Sequence, residues 1–176
     1  ASTGNGVRLL AYEIPQEPAT SRWRSTVLDS ELNRMHNHWH IDFDDDNSID
    51  TITASREGLS LIRRTESGWQ REHLADGATG ADDPNQNGAG EVKTGRLADG
   101  GRFLTTVEPM HGTQLAVYLQ AKQGEPWKRQ VIDSGFVRGH ALWTADFDGD
   151  GTDEIAFGHS DTPQKFGVNV YHATNP

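Results

Sequence analysis

The chain contains no cysteine, which excludes disulfides and thiolate metal sites. That absence leaves the compartment open; a secreted or periplasmic location is the expectation, since bacterial secreted proteins often manage without the residue. No apolar run approaches the roughly 18 residues of a membrane helix, so nothing is expected to cross a membrane. The opening A-S-T-G-N-G lacks the charged region and apolar core of a signal peptide and does not begin with Met, as in a processed product or a piece of a longer chain. Basic residues are too few for a nucleic-acid partner: 16 Lys and Arg stand against 26 Asp and Glu, for a net charge of −10, and phosphate binding needs a basic face. A sustained 3.6-residue period is also missing, so helices are not expected. Mean hydropathy is low, yet five Trp and several β-branched runs mark a folded chain rather than a disordered one.

What the sequence does have is A-D-F-D-G-D-G-T-D-E-I-A-F at residues 145–157. Asp146, Asp148 and Asp150 alternate, Gly151 follows, and Glu154 comes four residues after Asp150. Carboxylates at positions 1, 3 and 5 followed by a glycine open a calcium loop. Thr152 would add a backbone carbonyl and Glu154 the next carboxylate. An EF-hand needs Glu at position 12 and flanking helices; here position 12 is Phe157 and the flanks read as strands. Asp42, Asp44, Asp46 and Asp50 repeat the pattern 104 residues earlier, with Ser48 in place of Thr152 and Asn47 in place of the glycine. Calcium, or magnesium, is the expected occupant of both loops, because four carboxylates in nine residues repel without a cation.

His36 and His140 match at the same offset, and K-T-G-R-L-A-D-G-G-R-F-L-T-T lies halfway between the acidic loops with most of their carboxylates gone. Three copies of one unit, the middle one degenerate, repeat at a period of roughly 50 residues. The units are expected at about 36–76, 91–134 and 140–174, within a single incomplete domain spanning 1–176. Each reads as four short strands with a Trp opening the last: Trp23, Trp69 and Trp127. D-T-I-T-A-S at 50–55 alternates as a half-buried strand should, and 77–90 reads as a Gly/Asp/Asn-rich loop without periodicity. The fold class is all-β: a β-propeller of four-stranded antiparallel blades, about three to three and a half of them in this chain. A propeller closes with about 4–8 blades. Another copy or a companion chain is therefore expected to complete it, pairing with the exposed edges at 7–15 and 166–173. The competing arrangement is an open or sandwich-like stack of sheets.

The acidic loops D-F-D-G-D-G-T-D-E-I and D-F-D-D-D-N-S-I-D-T-I resemble the cation loops of FG-GAP/VCBS propeller repeats. A closer resemblance is to the propeller domain of the fungal aldos-2-ulose dehydratases (1,5-anhydro-D-fructose dehydratases). It is carried by A-S-R-E-G-L-S-L-I-R-R-T-E-S-G-W-Q-R-E-H-L, E-P-M-H-G-T-Q-L-A-V-Y-L-Q, W-K-R-Q-V-I-D and G-H-A-L-W-T-A-D-F-D-G-D-G-T-D-E-I-A, and covers most of 36–172. The resemblance implies a seven-bladed ring of which these are middle blades, and sugar dehydration as its chemistry. The family's cupin domains are not in this sequence.

Blade topology places the histidines. If the acidic loops join strands one and two, the start of strand one and the turn between strands two and three lie at the other end of the ring. His36, His38 and His140 fall at strand-one starts, and Arg56, His111 and His159 in the two-to-three turns. Five histidines and an arginine are thus expected on one rim near the channel, with His36, His38 and His40 on one side of their strand. His38, His111 and His159 are the acid/base or ligand candidates, and a catalytic divalent metal could sit at this rim. His36, His140 and Arg56 would bind or orient substrate, and Trp39 and Trp143 would stack on sugar. His73 and His172 read as solvated outer-strand residues. Each rim histidine also has a bland alternative, a bond to a neighbouring blade or simple exposure. Two functions follow. One is a carbohydrate-active lyase eliminating water or a glycosyl group from a sugar, for which His suits the base and a cation or Arg holds the enolate. The other is a non-catalytic, calcium-stabilised module binding carbohydrate or protein.

Overall fold

The computed structural model of the chain describes residues 7–162 and 165–173; the opening hexapeptide and the expected end of the last unit at 174 lie outside them. Among the described residues, thirteen strands form four antiparallel sheets. β1 (Leu9–Glu13) and β2 (Arg24–Asp29) make an opening pair. β3 (Asn37–Ile41), β4 (Asp50–Ser55), β5 (Gly58–Thr65) and β6 (Gly68–Ala75) make the first full blade. β7 (Glu91–Arg96), β8 (Arg102–Glu108), β9 (Gln114–Leu119) and β10 (Lys128–Ser134) make the middle blade. β11 (Gly139–Ala145), β12 (Glu154–Thr162) and β13 (Lys165–Tyr171) make a three-stranded last blade. Every sheet runs in sequence order, as hairpin-linked blades must, and the protein is a partial β-propeller. Among the described residues the only helical turn is a 3-10 turn at Pro84–Gln86, capped by the Asp83 side chain. It and an Ala78–Gly88 bridge give the 77–90 segment more order than its composition suggested.

The cores lie between the sheets. Ile52, Leu59, Leu61, Val92, Leu104 and Tyr118 join the first blade to the middle one. Phe103, Val107, Leu115, Phe136, Leu142 and Phe157 join the middle blade to the last. Leu9, Leu32 and Ile62 join the opening pair to the first blade. This placement corrects the half-buried expectation for β4, all six of whose residues are buried. A blade packed on both faces has no solvent side, so the alternating Thr51, Thr53 and Ser55 go inside as well. The Thr53 and Ser55 hydroxyls donate to the carbonyls of Ser60 and Gly58 (both 3.3 Å), so these polar groups are buried with partners. The inner strands β3, β7 and β11 approach one another along the channel. Among the described residues nothing covers the outer blade faces: Phe166, Val168 and Val170 on β13, and Tyr12 and Val27 on the opening pair, are exposed.

Candidate functional site

The candidate residues gather at two opposite ends of the blades. At one end, residues 42–49 join β3 to β4 and residues 146–153 join β11 to β12. The two loops are wired alike. The backbone N–H groups of Asp46 and Asn47 donate to the two oxygens of Asp42 (3.0 and 2.9 Å). Those of Asp150 and Gly151 donate to Asp146 (3.1 and 3.0 Å). The N–H of Ser48 donates to Asp46 (2.7 Å) and that of Thr152 to Asp150 (2.8 Å). Ligand oxygens of Asp42, Asp44 and Asp46 lie within 4.8 Å of one another, as do those of Asp146, Asp148 and Asp150. Asp50 is buried, and its Oδ2 has no hydrogen-bond partner. Burial, with Asp44 and Asp46 adding to it, raises the pKa of Asp50 against the opposing pull of Arg63 and the Phe43 N–H. A crowded, orphaned carboxylate fits a bound cation.

The loops differ in what surrounds them. Arg63 reaches Asp44 (3.1 Å), and Arg96 and Arg102 of the middle blade reach Asp45 (2.8 and 2.7 Å). Arg96 first, then Arg102, hold the Asp45 carboxyl below its ordinary pKa. The last loop has a histidine instead: His172 Nδ1 is 3.6 Å from both Asp148 Oδ2 and Glu154 Oε1. His172 is exposed, as expected of an outer residue, but the three form a ligand-competent group, so this loop has a histidine beside its carboxylates. The cause is register. Tyr171 pairs with Ile155, so the next residue of the chain falls beside Glu154.

At the other end, His36, His111 and His140 bring one ring nitrogen each within 4.8 Å of the others. Their ring centroids are 4.5, 4.8 and 5.7 Å apart, all edge-to-face. His36 Nδ1 donates to the Gly90 carbonyl (2.9 Å). Beneath the rings lies Glu91, buried, with Oε1 3.5 Å from His36 Nδ1 and 3.6 Å from His140 Nδ1. Its other oxygen accepts from the Asn37 amide. Burial, then His36 and His140, lower the His111 pKa against the pull of Glu91. A neutral imidazole keeps the lone pair that ligation or proton transfer needs.

The rim is therefore three histidines, not five, and two of the expected members are elsewhere. His159 lies inside β12, opposite Gly139, because that hairpin runs on to Thr162 before it turns. Its ring lies 5.0 Å from Phe136 and 6.1 Å from Phe157. His38 pairs with His40 along β3 (rings 4.8 Å apart), and His40 meets the Thr51 hydroxyl (3.0 Å). His36 precedes the strand and turns to Gly90 instead of joining them, so the expected row of three is a row of two. Burial, then His40 and Lys93, lower the His38 pKa. Arg56 sits in the β4–β5 turn as expected and pairs with Glu57 (3.5 Å). His73 pairs with Asp76 on the outer strand (2.8 Å).

Further into the channel, Trp39 and Trp143 meet edge-to-face at 5.1 Å. Lys93 Nζ lies 4.5 Å from the Trp39 ring centroid and 6.0 Å from that of Trp143. Burial lowers the Lys93 pKa, with Glu91 opposing. Glu91 and Lys93 went unnoticed in the sequence. The signal available was E-V-K, two charges two residues apart in a strand whose alternate residues face the channel. A cleft of about 390 Å³ between the first and middle blades, lined by His73, Asp76, Trp127 and Arg129, includes none of these residues.

Comparison with known families matches residues 2–122 to one described as aldos-2-ulose dehydratase, beta-propeller domain. The matched span holds the first acidic loop, His36, Glu91, Lys93 and His111, while His140, Trp143 and the last loop lie past its end. No curated protein matches the chain. With more than half of its length inside that match, and with blades folded as such a domain requires, the chain belongs to the aldos-2-ulose dehydratase β-propeller domain family.

Proposed function

We propose that this propeller acts on carbohydrate as a carbon–oxygen lyase of the sugar-dehydratase type. It eliminates water, or a glycosyl group, next to a carbonyl or uronate. The observation that carries the proposal is the convergence of His36, His111 and His140 at one end of the channel. Three imidazoles with room for a fourth partner suit a first-row divalent ion such as zinc, and the neutral lean of His111 fits that set. Such an ion, when bound, polarises a sugar carbonyl and holds developing enolate charge. His38 then serves as the acid/base, because it lies on the channel strand and burial disfavours its charged form. Trp39 and Trp143 give the sugar ring an apolar wall, and Arg56 is the more distant orienting charge. His159, packed on two phenylalanines, takes no part.

At the opposite end, the acidic loops are FG-GAP/VCBS-like sites for calcium or magnesium. Asp42, Asp44, Asp46 and Asp50 form one, with the Ser48 carbonyl. Asp146, Asp148, Asp150 and Glu154 form the other, with the Thr152 carbonyl and His172. A second copy or a companion chain completes the ring against the exposed apolar face of β13 and the edge of β1.

The test uses the completed ring. Elimination from keto- and anhydro-sugars and from uronate polymers is followed by the absorbance of the unsaturated product. His38→Ala should abolish turnover and spare zinc binding; His111→Ala should abolish both. Full turnover in either variant, on a substrate that the wild type accepts, removes that residue from the mechanism. The alternative is a calcium-stabilised binding module, which the Trp39–Lys93–Trp143 wall favours. It prevails if the wild type turns over none of these substrates yet binds sugars on a glycan array.

A further inference from the structure

We propose that Glu91 is the positioning residue of the histidine rim, orienting His36 and His140 from behind so that both present Nε2 to a shared ion. This rests on the rim being a cation site, as proposed above.

The argument begins with what accepts what. A carbonyl oxygen only accepts, so the 2.9 Å contact from His36 Nδ1 to Gly90 puts a proton on Nδ1. In a neutral ring the lone pair is then on Nε2. Glu91 Oε1 stands 3.5 Å from the same Nδ1, and 3.6 Å from Nδ1 of His140. One carboxylate oxygen therefore lies beside the Nδ1 atoms of two rings, which leaves the Nε2 of each for a ligand. A ligating histidine usually gives its second N–H to a carboxylate or a carbonyl, which fixes the tautomer and the ring orientation. Here a single strand start supplies both kinds of acceptor, at Gly90 and at Glu91.

Glu91 is itself held. It is 4% exposed, and its Oε2 is engaged by the Asn37 amide from β3. Burying a carboxylate is costly unless it is paired and hydrogen-bonded, and its nearest described partners are Asn37 and these two imidazoles. The blades divide the work. The flanking blades contribute His36 and His140 from equivalent repeat positions, and the middle blade contributes the carboxylate between them. His111 comes from the β8–β9 turn of the same middle blade. The turn is anchored by the Thr113 N–H, which donates to the Glu108 carbonyl (2.9 Å).

The experiment titrates Co²⁺ into the full chain, with calcium saturating the acidic loops and the visible d–d bands as the readout. Glu91→Gln keeps the size and an acceptor for Asn37 but removes the charge behind the rings. It should weaken Co²⁺ binding about 10–100-fold while leaving the band envelope of the bound ion unchanged. Glu91→Asp should recover part of the loss. His36→Ala reports loss of a ligand and should change the bands. Circular dichroism and the thermal midpoint of each variant check folding. If Glu91→Gln unfolds, Asn37→Ser, which loosens the carboxylate from the other side, should give the intermediate affinity. Unchanged affinity in a folded Glu91→Gln protein overturns the positioning role. Altered bands in that variant overturn it too, because they make Glu91 a ligand. Absence of rim binding in the wild type removes the cation reading itself, a different failure from either.

Discussion

At the loop end of the ring, the first and last blades carry Asp42–Asp46 and Asp146–Asp150, while the middle blade carries Arg96 and Arg102. At the histidine end, the flanking blades carry His36 and His140, while the middle blade carries Glu91. The middle repeat thus carries charge of the opposite sign at the loop end, and at the histidine end a carboxylate where its neighbours have an imidazole. Its arginines bind Asp45 of one neighbour. Its Arg96 backbone is bound on both sides by Asp153 of the other, N–H to Oδ2 at 2.7 Å and Asp153 N–H to the Arg96 carbonyl at 2.8 Å. A repeat without an acidic loop of its own is the clasp between two that have one. Each prediction below tests whether that division between middle and flanking blades is real.

The largest effect should come from a feature of the middle blade, its buried ionic cluster. Glu108 is fully buried and accepts from the Thr106 hydroxyl (2.6 Å), the Tyr118 hydroxyl and Arg129 (Nε 2.8 Å, Nη2 2.6 Å). Burial and this carboxylate push the Tyr118 hydroxyl's pKa up, so it stays a donor. Arg129→Met leaves a buried carboxylate without its cation and should cost on the order of 3 kcal/mol. Glu108 also opens the turn that presents His111, so the same variant should weaken Co²⁺ binding at the rim. Urea unfolding and the cobalt titration check both. A loss below about 1 kcal/mol would make the cluster a surface-grade ion pair.

Removing calcium comes next, and it should act unequally. One site saturated at a hundredfold excess over its Kd stabilises by about 2.7 kcal/mol, and each kcal/mol moves the midpoint of a chain this size by about 2–4 °C. The first loop has Arg63, Arg96 and Arg102 to offset its carboxylates when the ion leaves; among the described residues the last loop has only His172 against Asp148 and Glu154. Chelator should therefore lower the midpoint of the Asp44→Asn protein, whose last loop is intact, more than that of the Asp148→Asn protein. Equal shifts would mean that the arginines do not discharge the first loop.

A pH scan tests the other end. The folded-state pKa values of His38 and His111 are depressed, so below the unfolded value of about 6.5 the unfolded chain binds protons that the native chain resists. Their contribution to stability is complete above that pH and is lost as pH falls from about 6.5 through the depressed values. His111→Gln should flatten this part of the stability curve in the metal-free protein. An unchanged curve would assign the acid sensitivity to other groups.

Much of the architecture was legible in the sequence because the repeat is local. Loop carboxylates, strand alternation and the Trp at each fourth strand recur in order, and the sheets follow that order. The site was less legible because it is assembled across blades. His36 and His140 could be paired by their equal repeat positions, and His111 by its turn. Glu91 offered only the E-V-K spacing, because its place beside both histidines arises only where β7 meets β3 and β11. His159 was misplaced because hairpin length cannot be read from where a hairpin starts. His172 is solvated as its outer position implied, but its approach to Asp148 and Glu154 comes from register, not composition, and could not be read.

The smallest effect sharpens the comparison of the two acidic loops themselves. In the last loop the left-handed positions are Gly149 and Gly151 (φ 81 and 90); in the first they are Asp45 and Asn47 (φ 60 and 66). Asp45 has a reason to be there, since it holds Arg96 and Arg102. Asn47 has its backbone N–H on Asp42, which glycine would keep. A left-handed conformation costs an ordinary L-residue roughly 1–2 kcal/mol; Asn tolerates it better than most, and glycine adds about 0.4–1 kcal/mol of unfolded-state entropy. Asn47→Gly should therefore stabilise by no more than about 0.5 kcal/mol, and Gly151→Asn should cost a similar amount. A Cβ at Gly151 meets nothing within 4 Å, so that cost is conformational and not steric. Paired urea denaturation of the two variants in excess calcium measures the difference. A neutral Asn47→Gly beside a costly Gly151→Asn would show that the first loop has adapted its backbone to asparagine, and that the two loops are no longer interchangeable copies.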